Sequence, residues 1–106
     1  PDTEEPSDSV SIEEEILQGF RIQIFASASI DEANLARQLA AQAIVDDSLY
    51  IVYDPPVYKV RVGDYLTRLA ANRALTSVLQ HGYPDAWVVT DRIIQRKTVR
   101  IPREEY

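Results

Sequence analysis

The feature that most constrains this chain is an internal duplication. Ile22-Gln23-Ile24-Phe25 leads into Ala33-Asn34-Leu35-Ala36, and Val60-Arg61-Val62-Gly63 leads at the same spacing into Ala71-Asn72-Arg73-Ala74. Each copy reads as a strand followed by a helix, and each is closed by a further strand, Leu49 to Tyr53 and Ala86 to Thr90. The order is therefore β-α-β-β-α-β, an α+β fold of the ferredoxin or ribonucleoprotein kind: a four-stranded antiparallel sheet with both helices on one face. The other face is left bare, and a bare sheet face is a binding surface.

Local signals support the duplicated frame. In the first strand Ile22, Ile24 and Ala26 alternate with Arg21, Gln23, Phe25 and Ser27, which assigns the first set to the core and the second to the open face. Ser29-Ile30-Asp31-Glu32 is a capping box that starts a helix running to about Ile44, with Leu35, Leu39 and Ala43 on its buried stripe beside Ala36 and Ala40. Asp54-Pro55-Pro56 makes the turn into a third strand, Val57 to Val62, which points Tyr58, Val60 and Val62 inward and Lys59 and Arg61 outward. Gly63-Asp64 leads out of that strand. Thr67 caps the second helix, whose stripe is Ala70, Ala71, Ala74, Leu75, Val78 and Leu79, and Gly82 ends it as a left-handed residue ahead of Pro84. In the last strand Ala86 and Val88 face inward, and Trp87 and Val89 outward.

With 106 residues there is room for one modest core. The formal charge of −6 resides in the opening. Pro1 to Leu17 carries seven acidic residues and no Lys or Arg, which leaves the remainder at +1. We expect residues 1–18 to be an acidic flexible linker, 19–94 the folded domain, and 95–106 a tail or an added edge strand. A near-neutral domain argues against nucleic acid, whose phosphates demand clustered cations. No apolar run has the length of a membrane-spanning helix. The chain opens at Pro1 without a Met, and we expect any anchoring or targeting signal to lie upstream.

Catalysis is disfavoured by composition. There is no cysteine, and the lone histidine, His81, sits where the last turn of the second helix ends, a position that suits an imidazole for structural reasons. The carboxylates lie in the opening, on helix surfaces or in turns rather than facing each other across a groove. Neither a phosphate loop nor metal-ligand spacing is present, so no cofactor or metal is expected.

Three segments then carry a family resemblance: Gln23-Ile24-Phe25-Ala26-Ser27, Tyr58-Lys59-Val60-Arg61-Val62-Gly63-Asp64-Tyr65, and Gly82-Tyr83-Pro84-Asp85-Ala86-Trp87-Val88-Val89. Together, over about Phe20 to Ile93, they resemble the SPOR (sporulation-related repeat) domain. The resemblance implies a non-catalytic bacterial module that binds peptidoglycan across the open sheet face. It also implies a preference for glycan strands denuded of stem peptides, and delivery of a parent protein to the division septum from the periplasm or cell envelope. Gln23 matches the family's first-strand Gln, Trp87 its fourth-strand groove position, and Lys59 and Arg61 its outward third-strand positions. Where the family often reads Gln-Val-Gly-Ser-Phe, this chain has Phe25 for the Gly, Ala26 for the Ser and Ser27 for the Phe.

The chemistry of a sugar fits this face independently. Sugars offer apolar C–H surfaces ringed by hydroxyls, which call for a flat aromatic beside groups that donate and accept hydrogen bonds. The candidate ligand-binding residues are Gln23, Phe25, Ser27, Lys59, Arg61, Trp87 and Val89. Lys59 and Arg61 are expected to meet the lactyl carboxylate that a peptide-free muramic acid exposes. The expected state is a monomer. The alternatives are an RNA-binding module of the ribonucleoprotein type, or a regulatory ferredoxin-like domain that pairs with itself.

Overall fold

The computed structural model describes residues 9–101. Its elements run β1 (Ser9–Ser27), α1 (Ile30–Ala43), β2 (Leu49–Asp54), β3 (Val57–Tyr65), α2 (Arg68–Gln80) and β4 (Trp87–Ile101). All four strands form one antiparallel sheet in the order β2-β3-β1-β4, and the β-α-β-β-α-β order is the one the duplication implies. The core lies between the sheet and the helices, where Ile22, Ile44, Val62, Val78 and Ala86 are buried together. Ile22 and Val62, fully enclosed at the centre of β1 and β3, each contribute about 2 kcal/mol by leaving water.

The helices begin where the sequence marks them. The Ser29 hydroxyl accepts from the Glu32 amide and the Thr67 hydroxyl from the Ala70 amide. The reciprocal half of the first box is relayed through β1. The Ser29 amide donates to Ser27 Oγ, and that hydroxyl donates onward to Glu32 Oε1. Gly82 has φ +102°, the left-handed conformation expected after α2. At the end of α2 the His81 Nδ1–H donates to the Ser77 carbonyl at 2.6 Å, a structural role.

The buried stripes are smaller than the periodicity suggests. Ala33 and Ala40 seat α1 on the sheet, while Leu35 and Leu39 remain more than half exposed. Ala71 and Val78 seat α2, with Leu79 on the exposed side. Small residues on the contact line let each helix approach the sheet closely, and the leucines flank that line.

Two β-bulges reset the alternation between β1 and β3. Phe20 pairs with Tyr65 but Ile22 with Val62, so β3 carries an extra residue at Gly63-Asp64. The segment expected to lead out of β3 is thus a kink within it. Gly63 has φ +84°, and the Tyr65 ring fills the space a side chain there would need. Gln23 pairs with Arg61 but Phe25 with Val60, so β1 carries the second extra residue at Ile24.

The largest departure is at the ends of the chain. β1 and β4 pair without interruption from Ser9↔Ile101 to Gln23↔Trp87, whereas β1 meets β3 only from Phe20 onward. Residues 9–18, expected in the linker, and 95–101, expected as a tail or an added edge strand, are therefore the two strands of a ribbon that extends the sheet. Positions 1–8 and 102–106 lie outside the described residues. Glu14 and Glu15 are paired across the ribbon with Arg96 and Lys97, with Arg96 Nε 2.9 Å from Glu14 and Lys97 Nζ 3.9 Å from Glu15. The base of the ribbon is built into the protein. Ile93 is fully buried, and its side chain occupies the space beside Gly19, where a Cβ would come within 2.5 Å of it.

Candidate functional site

Cross-strand partners present their side chains to the same face, which allows the face opposite the helices to be read from the register. One row crosses all four strands: Tyr50 beside Arg61, Arg61 beside Gln23, Gln23 beside Trp87. Three of the four are candidate site residues. Three inter-strand spacings make the row about 14 Å long. At one end Trp87 is 56% exposed, a free aromatic surface. Beside it Gln23 is half-buried and held in place by a hydrogen bond to its Oε1 from Arg61 Nε, 3.2 Å.

Arg61 is committed as well as positioned. Its Nη1 donates to Asp91 Oδ2 at 2.9 Å, and Arg21 Nη1 reaches the same oxygen at 3.2 Å. Arg21 continues the network, with Nη2 on Asp64 Oδ1 at 3.0 Å, Nε on the Gly63 carbonyl, and its guanidinium 3.7 Å from the centre of the Tyr50 ring. The Tyr50 hydroxyl donates to the other Asp64 oxygen, and the Ile94 amide donates to Asp64 Oδ1 at 2.8 Å. Two nearly buried arginines and two aspartates thus form a closed, neutral network under the row.

The titration of these groups follows. Burial pushes the Asp64 and Asp91 carboxyls up, but the hydrogen bonds outweigh it and hold both below the ordinary aspartate value. For Asp64 these come from Tyr50, the Ile94 amide and Arg21; for Asp91 they come from Arg61 and the Arg92 amide, with the arginine charges adding to the effect. The Tyr50 phenol is raised by burial and by its bond to Asp64.

The remaining candidates are placed differently. Lys59 lies on the outer face but pairs with Asp54 at 2.7 Å. The bulge at Ile24 puts Phe25 opposite Val60, a fully buried residue on the helix side, so Phe25 does not share the outer face with Gln23. Ser27 pairs with Tyr58, and its hydroxyl is engaged by the cap of α1. Val89 pairs with Arg21, on the outer face as expected, but is only 8% exposed. Sequence reasoning passed over Arg21, Tyr50 and Asp91. Tyr50 was legible by its phase in β2, whereas the Arg21–Asp91 contact joins residues 70 apart and left no local signal.

The ribbon adds a second wall. Ile16, Arg92, Ile93 and Ile94 on its side face Arg21, Tyr50, Ile51 and Val52 on the sheet side across a groove of about 310 Å³. The groove adjoins the Tyr50 end of the row. Among the described residues no cluster of side chains is arranged to hold a metal ion, and no helix is long and apolar enough to cross a membrane.

A single sheet with helices on one face and an aromatic, hydrogen-bonding row on the other defines a small surface-binding module. The SPOR domain family model matches residues 17–90, well over half the chain, and the chain belongs to that family. SPOR domains are binding domains of cell-envelope and cell-division proteins, and they bind peptidoglycan. No curated protein and no solved structure gives a significant match.

Proposed function

We propose that this domain binds the glycan strands of peptidoglycan across the outer sheet face, prefers strands denuded of stem peptides, and so carries its parent protein to the division septum. It acts as a monomer in the periplasm or cell envelope, anchored by a segment upstream of residue 1, and it acts by binding alone. The observation that carries this reading is the row from Trp87 through Gln23 and Arg61 to Tyr50. Trp87 offers an open ring for the C–H face of a sugar, and the Gln23 amide, fixed by Arg61, offers its NH2 group to hydroxyls and carbonyls.

Other features support the reading from different sides. Arg61, Arg21 and Lys59 are each neutralised by an aspartate, which removes the cationic surround that RNA requires. Asp64 and Asp91 are held ionised by their hydrogen bonds, and neither is poised to act as the protonated acid of a glycosidase pair. Because Arg61 is already satisfied, its role is to orient Gln23 rather than to capture a carboxylate itself.

Co-sedimentation with purified sacculi, before and after amidase digestion, tests the proposal. Binding should rise on digestion and fall by about 2 kcal/mol in Trp87→Ala, the loss typical of a central aromatic contact. Equal binding to both preparations would remove the preference for denuded strands, and binding to neither would overturn the reading.

A further inference from the structure

We infer that the helix-side face of the ribbon docks on an anionic lipid surface, its arginines meeting phosphates and its exposed aliphatic side chains reaching the acyl boundary. The unbroken β1–β4 register decides which residues share that face. Gln23↔Trp87 marks the outer face, and the core pair Ile22↔Val88 marks the helix side. Alternate pairs from the core pair outward therefore point to the helix side. Along the ribbon these are Gln18↔Arg92, Ile16↔Ile94, Glu14↔Arg96, Ile12↔Thr98 and Val10↔Arg100. Phe20, one such step from Ile22, agrees: the Arg68 guanidinium of α2 stands over its ring, 4.9 Å from the centre.

The two faces of the ribbon carry opposite charge. The helix-side face holds Arg92, Arg96 and Arg100 against Glu14, a net charge of +2, whereas the outer face over the same span holds Glu13 and Glu15 against Lys97, a net charge of −1. Arginine thus recurs at every fourth residue of β4, always on the same side. Arg96 meets Glu14 where both side chains are more than half exposed, and the exposed Arg92 side chain makes no ion pair among the described residues. A chain of formal charge −6 therefore presents a local cationic face.

Between the arginines the face is aliphatic. Val10, Ile12 and Ile16 are 64, 70 and 68% exposed. Aliphatic side chains interleaved with guanidinium groups match a bilayer interface, where phosphates lie just above the acyl chains. From Arg92 to Arg100 the face is about 27 Å long, at roughly 3.4 Å per strand residue. The backbone limits its depth. β1 from Ser9 to Gly19 pairs with β4 alone, and β4 with β1 alone, so both edges of the ribbon carry unpaired amide and carbonyl groups, which do not enter hydrocarbon. The ribbon rests at headgroup depth, where water and phosphate satisfy those groups. A headgroup layer supplies phosphates in any register, which suits cations on a twisting ribbon; an acidic protein surface would have to match their four-residue spacing. The row from Trp87 to Tyr50 lies on the other face, so lipid contact leaves it open and the inference stands apart from the glycan reading.

The test uses the full chain and vesicles of two compositions: phosphatidylglycerol with phosphatidylcholine in equal parts, and phosphatidylcholine alone. Co-sedimentation at low salt should show binding to the first and little to the second, and added salt should weaken it. Arg92→Glu combined with Arg96→Glu should lower binding by about tenfold or more. Ile12→Ser should weaken it as well, whereas Lys97→Glu, on the outer face, should retain most of it. Unchanged circular dichroism in these variants separates loss of the surface from loss of the fold. A wild type that bound neither vesicle, or a Lys97→Glu loss as large as that of the double arginine variant, would overturn the inference. Binding to a poly-glutamate peptide with none to the anionic vesicles would also overturn it, and would give the face to an acidic protein partner instead.

Discussion

Arg61 and Arg21 share a single carboxylate oxygen: Oδ2 of Asp91 lies 2.9 Å from Arg61 Nη1 and 3.2 Å from Arg21 Nη1. The side chains of both arginines are about nine-tenths buried, so this one oxygen ties β4 to β1 and β3 beneath the row from Trp87 to Tyr50.

Removing that carboxylate leaves two guanidinium groups short of a partner in a poorly solvated place. Asp91→Ala should cost about 3 kcal/mol in unfolding free energy, as expected for breaking a buried ion pair. Urea denaturation measures it. Asp54→Ala, which breaks only the Lys59 pair at an exposed site, should be indistinguishable from wild type in the same assay.

The network also fixes the acid response. Asp64 and Asp91 have folded-state pKa values below the unfolded aspartate value near 3.9. Their contribution is therefore fully present above that value and lost as pH falls through the lower folded-state values. The urea midpoint should be level near neutrality and drop on acidification below about pH 4. The Asp64→Asn, Asp91→Asn double variant should start lower and lose much of this acid slope. An unchanged slope would show that other carboxylates control acid unfolding.

The ribbon base is expected to behave as core. Ile93→Ala should cost about 3 kcal/mol, because the side chain is fully enclosed and its removal leaves a cavity. Gly19→Ala should also destabilise, since a Cβ there would lie 2.5 Å from Ile93 Cδ1 and 2.6 Å from the Tyr65 carbonyl oxygen. Amide exchange should show residues 16–19 and 91–94 protected and residues 9–12 exchanging faster.

Much of this architecture is written locally, and the parts that are not share one cause. Ser29, Thr67 and Gly82 announce the helix ends because capping acts within a few residues. The ribbon escapes notice because Glu13, Glu14 and Glu15 read as a solvated acidic run until Arg96 and Lys97, some 80 residues away, are paired with them. Phe25 is misassigned because strict alternation fails at the bulge beside Ile24. Arg61 looked like a free ligand cation because nothing near it in sequence reveals Asp91. The outward placement of Gln23 and Trp87 is legible, since the pairing that sets it lies within a regularly alternating stretch of β1 and β4.

Trp87 is the only tryptophan in the chain, and it gives the central claim its most direct measurement. Its fluorescence should be accessible to acrylamide in the free protein, as its exposure of 56% requires. Adding denuded glycan oligosaccharide should shift the emission to the blue and protect it from the quencher in a saturable titration. A glycan that leaves both the emission and the quenching of Trp87 unchanged would contradict a binding site on this face.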